Sequence, residues 1–190
     1  MGKMTPPSRK SCYNFRVTEV TKVVDGDTID VVIDLGFDIS KHERVRIAGI
    51  DTPEKRTRDL EEKALGLDAT YWMKKHLEDT IAGDEELTIR TELKGGMGKY
   101  GRLLGWLYVG DDPVSLNEQM IEEGYAWEYD GGTKKKNFGE LREIRIAQGT
   151  LEPEEGDPLP EVNGTGIEAA PDAPEYNTPL NSTSNMAGLY

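Results

Sequence analysis

Two runs rich in Val and Ile, Phe15–Val24 and Thr28–Leu35, stand on either side of Asp25-Gly26-Asp27. Short β-branched runs broken by Asp-Gly read as two strands of a hairpin, so a chain built this way must form its core around a sheet. A third run, His42–Ile50, sets Arg44 and Arg46 alternately with Val45 and Ile47, which gives the strand one charged and one apolar face. The period then lengthens. Between Asp59 and Ile81 the apolar positions Leu60, Ala64, Leu67 and Tyr71 recur every three or four residues, and Gly83 follows as a stop signal. Two further strands are expected at Glu86–Leu93 and Arg102–Val109, joined by the Gly-rich loop Lys94-Gly95-Gly96-Met97-Gly98. Ser115 suits the start of a helix running to Glu123, with Gly124 past its end, and Phe138–Gln148 reads as a last helix. Five short strands with interspersed helices make an α+β chain.

The composition changes after Gly149. Residues 151–190 hold eight acids, no Lys or Arg and six of the ten prolines, so this tail is expected to be disordered. It carries most of the formal charge of −13, and residues 1–150 have 28 acids against 23 bases. The overall acidity therefore does not exclude a polyanionic ligand for the folded part. The expected organisation is a polar arm at 1–14, a domain at 15–150 and an acidic tail at 151–190. The single cysteine, Cys12, rules out an intramolecular disulfide, and His42 and His76 are not spaced as a zinc pair. No apolar run of signal-peptide length precedes Tyr13, and none approaches membrane-spanning length. The expectation is a cytoplasmic protein with no membrane partner, and packaging in a virion is equally compatible.

Three stretches carry the chemistry: Val24-Asp25-Gly26-Asp27-Thr28, Arg44-Val45-Arg46-Ile47-Ala48-Gly49-Ile50-Asp51-Thr52-Pro53-Glu54 and Lys99-Tyr100-Gly101-Arg102. Carboxylate and carbonyl oxygens suit a hard cation, and arginines grip phosphate oxygens in pairs. Taken singly, Asp27 reads as a hairpin-turn aspartate, Asp51 as a turn residue before Thr52-Pro53, Glu54 as an exposed helix-start residue, and Arg46 and Arg102 as charges on solvated strands. Their co-occurrence in this order is the stronger observation.

In that order and spacing the chain resembles the staphylococcal nuclease (thermonuclease) family from about Phe15 to Thr150. The resemblance implies a small five-stranded OB-type barrel with helices packed on it. It also implies that Asp27, Asp51 and the carbonyl of Thr52 bind one Ca²⁺, with Mg²⁺ or Mn²⁺ as possible substitutes. Arg46 and Arg102 would bind the phosphoryl group, and Glu54 would orient the attacking water. Lys99 and Tyr100 match positions that contact a terminal phosphate. The implied activity is hydrolysis of DNA, RNA or both, by a monomer, leaving 3′-phosphates.

Two features fit the family less closely. Tyr125, Trp127 and Tyr129 alternate after Gly124, so an aromatic for base stacking is available. Tyr129 is the candidate, and Trp127 reads as core. Gly98 stands where an acidic residue is common, in a Gly-rich loop. Lys134-Lys135-Lys136 reads either as a track for a nucleic-acid backbone or as a solvated loop. Two non-enzymatic alternatives remain: an OB-type nucleic-acid-binding module, and a virion or scaffold component whose tail docks on an unnamed partner.

Overall fold

A computed structural model describes residues 5–8, 12–92, 98, 101–134 and 136–153. Lys99, Tyr100, Lys135 and nearly all of the acidic tail therefore lie outside the described residues.

The first hairpin joins β1 (Cys12–Asp25) to β2 (Thr28–Asp34). Asp25 pairs with Thr28, so the two-residue loop is Gly26-Asp27, inside the interval expected between the two strands. Gly26 is absent from the left-handed glycines, and its small size matters instead. A Cβ there would meet Ala69 Cβ and Thr52 Cγ2, each at 3.0 Å. β1 starts at Cys12, earlier than the sequence pattern, because residues 12–16 pair with β5 (Leu87–Glu92) while 16–25 pair with β2. Register shifts along β1 bend it so that it serves both neighbours.

β3 (Ser40–Ile47) pairs antiparallel with β2 and parallel with β6 (Leu103–Val109), closing the barrel in the order β1-β2-β3-β6-β5. This is the expected α+β fold with a closed five-stranded barrel. The inner face buries Ile29, Val31, Val45, Ile47, Ile89 and Leu107. The outer face of β3 carries Arg44 and Arg46, as the alternation predicts. The expected strand to Ile50 divides at Gly49, whose φ of 75° turns the chain. Ile50–Asp51 then forms β4, a separate ribbon with β7 (Trp127–Glu128), in which Asp51 faces Trp127.

Among the described residues there are three helices, of which α1 and α2 pack on the barrel. Helix α1 (Leu60–Ala82) is capped by Asp59, which accepts from Glu62 N, and buries Trp72, Met73 and Leu77. It stops at Gly83, but Asp84 takes the left-handed backbone, with φ 56°. Helix α2 (Leu116–Glu122) begins with the reciprocal Ser115–Glu118 cap. Its buried Asn117 accepts from Leu107 N (3.0 Å) and donates to the carbonyls of Ala48 (2.7 Å) and Gly105 (3.1 Å). That amide locks the end of β3 to β6. Helix α3 (Phe138–Ala147) is tied to α1 by Arg145 and Asp68 at 2.9 Å. Among the described residues no helix is long and apolar enough to cross a membrane.

Candidate active site

The hairpin tip, the end of β3 and β4 converge beside α1. Asp27 is fixed from several sides: its carbonyl accepts Ile47 N at 2.8 Å, and its carboxylate accepts the hydroxyls of Thr28 (2.9 Å) and Thr52 (3.1 Å) and Thr52 N (3.3 Å). Asp51, on β4, is only 3% exposed. One nitrogen of Arg46, Nη2, lies 3.1 Å from Asp27 Oδ2 and 3.1 Å from Asp51 Oδ1. Its Nη1 donates to the carbonyls of Asp27 (3.3 Å) and Ile47 (3.1 Å). The fold thus brings two aspartates 24 residues apart in sequence onto one guanidinium.

Arg46 also borders a cavity of about 380 Å³, with Arg102, Lys134 and Tyr129 in the same walls and Ala48, Ile50 and Leu104 as apolar lining. The register explains the arginine pair. Arg46 aligns with Leu104 across the parallel β3–β6 contact, so Arg102, two residues earlier, falls on the same outer face. Tyr129 is held in place by its N–H to Gly49 O (2.8 Å) and its hydroxyl to Gly132 O (3.2 Å). Tyr125 and Trp127 go elsewhere: Arg145 stacks on Tyr125, and Trp127 is buried and donates to Asn137 O.

Of the residues singled out from sequence, Asp27, Arg46, Asp51 and Thr52 share one network, and Arg102 and Tyr129 meet Arg46 at the cavity. Glu54 is exposed, and its carboxylate accepts Arg56 N at 3.1 Å. Thr52 contributes its N–H and hydroxyl to Asp27, where the resemblance implied its carbonyl.

Glu62 escaped the sequence reading, and so did the partners of Lys134 and Lys136. Lys134 Nζ reaches Asp51 Oδ1 at 2.8 Å, and Lys136 Nζ lies 3.0 and 3.1 Å from the carboxylate oxygens of Glu62. Both lysines therefore have defined partners and are not simply a solvated run. Glu62 is 5% exposed and also accepts Glu54 N at 3.4 Å. The spacing Asp59-x-x-Glu62 marks a helix start, but nothing in it signals burial against a distant lysine.

Burial pushes the Asp51 carboxyl above its ordinary value, against the opposing pull of Lys134 and Arg46. Burial draws Lys134 down, but its hydrogen bond and charge pairing with Asp51 outweigh this and leave it raised. The two shifts point opposite ways for the pair: the anion is costly in this place, while the lysine is held charged. Geometry favours the ionised pair, because two cations face the same oxygen.

Among the described residues no group of three or more His, Cys, Asp or Glu side chains gathers as a metal cluster. Asp27 and Asp51 nevertheless offer hard oxygen donors within reach of a single nitrogen. Such a pair fits a cation that takes the rest of its shell from carbonyl, water or substrate oxygens, and does not fit zinc.

The sequence model of the family described as staphylococcal nuclease homologue matches residues 44–150. That span holds Arg46, Asp51, Thr52, Glu54, Arg102 and Tyr129 and begins after Asp27. "Protein ParB" of Escherichia coli is 34% identical over 118 residues, covering 58% of this chain and 56% of its own length. "Thermonuclease" of Staphylococcus intermedius is 32% identical over 123 residues, 63% of this chain and 65% of its own. "Micrococcal nuclease" of Shigella flexneri is 33% identical over 121 residues, 58% and 57% respectively. The chain spans between half and two thirds of the length of these curated relatives. With more than half its residues matched by the family model, the chain belongs to the family of staphylococcal nuclease homologues.

Proposed function

We propose that this protein is a calcium-dependent nuclease that hydrolyses phosphodiester bonds in DNA, RNA or both with little sequence preference. The observation that carries this reading is Arg46, which joins the Asp27–Asp51 pair to a cavity that also presents Arg102. Asp27, Asp51 and the Thr52 carbonyl would hold Ca²⁺. The bound ion would neutralise phosphate charge and make a water more acidic.

The chain's own residues supply the rest. Both Nη groups of Arg46 are held by backbone carbonyls and carboxylates before substrate arrives, so a phosphate oxygen would take its Nε–H, or an Nη2 hydrogen that the aspartates give up to the bound ion. Arg102 supplies a second fork from the same face. Charge grows on the phosphoryl oxygens as water bonds to phosphorus, and the apolar lining of Ala48, Ile50 and Leu104 strengthens the attraction to both guanidiniums. Glu54 would accept the proton of the attacking water once its carboxylate turns from Arg56 N. The bond from phosphorus to the 5′ oxygen would break, and that oxygen would take a proton from solvent, leaving a 3′-phosphate and a 5′-hydroxyl. Lys99 and Tyr100 would hold a neighbouring phosphate, and the Tyr129 ring would pack against a base. None of these contacts reads a base edge, which accounts for the low sequence preference.

The test is digestion of single- and double-stranded DNA and RNA in Ca²⁺ or in chelator, with analysis of product ends. Cleavage to 3′-phosphate ends in Ca²⁺ and none in chelator is expected. Binding without cleavage in any metal would favour a nucleic-acid-binding module, and full activity in chelator would reject the mechanism.

A further inference from the structure

Asp51 faces two cations of unequal attachment. Arg46 makes four contacts, two of them to backbone carbonyls, and its side chain is 12% exposed. Lys134 reaches the same Oδ1 from a loop, with its side chain 58% exposed. The base of that loop is pinned: Gly132 N donates to Asp130 Oδ1 at 3.0 Å, and the Tyr129 hydroxyl donates to Gly132 O. Lys134 also belongs to the cavity wall beside Arg46 and Arg102. It stands on the border between the carboxylate network and the basic cavity. Rotations about a flexible four-carbon stem can carry its ammonium from one to the other without moving the backbone.

We propose that Lys134 is a tethered counter-ion with two stations. It neutralises Asp51 when no divalent cation is bound, is displaced when one binds, and then joins Arg46 and Arg102 as a third cation for the phosphate. The inference rests on the assignment of Asp51 as a cation ligand made above. A divalent ion and an ammonium repel each other at one carboxylate, and the exposed lysine is the group free to yield. Arg46 is held by backbone carbonyls that the ion does not disturb. The displaced lysine remains beside the cavity, so the ion prepares the phosphate site, and phosphate in turn draws the lysine off Asp51. Linkage makes these two effects equal in size. Lys136 has a different task. It holds buried Glu62, which accepts Glu54 N, and so anchors the loop beyond Lys134.

Calorimetric titration of the full chain with Ca²⁺, without nucleic acid, tests this on wild type, Lys134→Gln and Lys136→Gln, with thermal melting to confirm folding. Lys134→Gln is expected to bind Ca²⁺ about fivefold tighter or more, the lower range of coupling between sites. Lys136→Gln should stay close to wild type. A short phosphorothioate oligonucleotide should then raise the Ca²⁺ affinity of wild type more than that of Lys134→Gln. Equal Ca²⁺ affinity in wild type and Lys134→Gln would overturn the inference and leave the metal assignment standing. So would equal tightening in both variants, which would reflect general charge near the site. Equal enhancement by the oligonucleotide would overturn the second station. Absence of Ca²⁺ binding in all three proteins would instead reject the metal assignment, and the inference with it.

Discussion

Gly66 lies against the backbone of Pro53: a Cβ on Gly66 would come within 2.6 Å of Pro53 O, and within 2.6 Å of Lys55 N. Helix α1 thus presses directly on the segment that follows Asp51. Gly26 makes the matching contact from the hairpin side, against Ala69 of the same helix and Thr52. These two glycines let helix, hairpin tip and β4 approach closely enough for Arg46 to reach both aspartates.

Gly66→Ala is therefore expected to destabilise the protein. In an open helix this change gains about 0.5–1 kcal/mol. Here the obstacle is backbone, which cannot rotate away, and overpacking of this kind costs about 1–3 kcal/mol. The segment from Asp51 to Glu54 would also shift, and a misplacement of about 1 Å can cost about 10²-fold in rate. Thermal melting and cleavage rates check both; a variant that melts higher and cuts at the wild-type rate would contradict the packing argument.

Arg46→Lys should lower kcat by about 10²–10³-fold, the scale for removing one transition-state donor. A lysine has no planar fork with which to span Asp27, Asp51 and two carbonyls at once. Arg102→Lys is expected to act in the same direction, chiefly on kcat, since both arginines serve charge that develops during the reaction. Glu54→Gln should slow cleavage while leaving oligonucleotide binding intact. Steady-state kinetics with a separate binding assay tells these apart. Wild-type rates in all three variants would reject Arg46, Arg102 and Glu54 as the groups that carry the reaction.

Much of this architecture was legible because it is local. Alternation on β3 placed Arg46 outward and Val45 inward, and Ser115 marked its helix start by capping chemistry. What failed was non-local. The Asp-Gly pair announced the hairpin but not that Gly26 would pack against Ala69 and Thr52 across the fold. The parallel β3–β6 contact, which puts Arg102 on the face of Arg46, leaves no periodic signature. Lys134 and Lys136 looked like any basic loop, since their partners Asp51 and Glu62 lie 83 and 74 residues away. The order of Asp27, Arg46, Asp51, Glu54 and Arg102 was visible in sequence. The coupling of the first three through one guanidinium was not.

Asp30 and Arg44 give a pH-dependent effect away from this network. They face each other across β2 and β3, and Arg44 donates two hydrogen bonds to the carboxylate, at 2.6 and 2.7 Å. The Arg44 hydrogen bond holds Asp30 below its ordinary value near 3.8, against the opposing effect of burial. A folded value below the unfolded one means that the pair favours folding above pH 3.8, and that this contribution is lost as pH falls through the folded value. Asp30→Asn should remove that part of the acid sensitivity, so wild type and variant should converge in stability at low pH. The pair is exposed, so its effect should be small and should shrink in salt. Denaturant titrations across a pH series, at low and high salt, measure it; a constant gap between the two proteins at every pH would count against the pairing.

The acidic tail bears on substrate affinity. Residues 151–190 carry eight acids and no bases, while the candidate site offers Arg46, Arg102 and Lys134 to a polyanion. Helix α3 ends at Ala147, and Thr150 returns its N–H and hydroxyl to Arg145 O at 2.9 and 3.2 Å, which closes the helix before the tail begins. A chain ending at Leu151 keeps these contacts and should melt at the same temperature. A negatively charged tether lowers the concentration of nucleic acid near the domain, so its removal should lower KM at low ionic strength. The gain should fade toward about 0.15 M salt, where the Debye length is about 8 Å. A change in kcat is not expected, since charge that salt can screen acts on encounter and not on the fixed groups around the phosphate. Michaelis constants for both chains across a salt series decide it. Equal values at low salt would remove any electrostatic role for the tail and leave it as a spacer or docking segment.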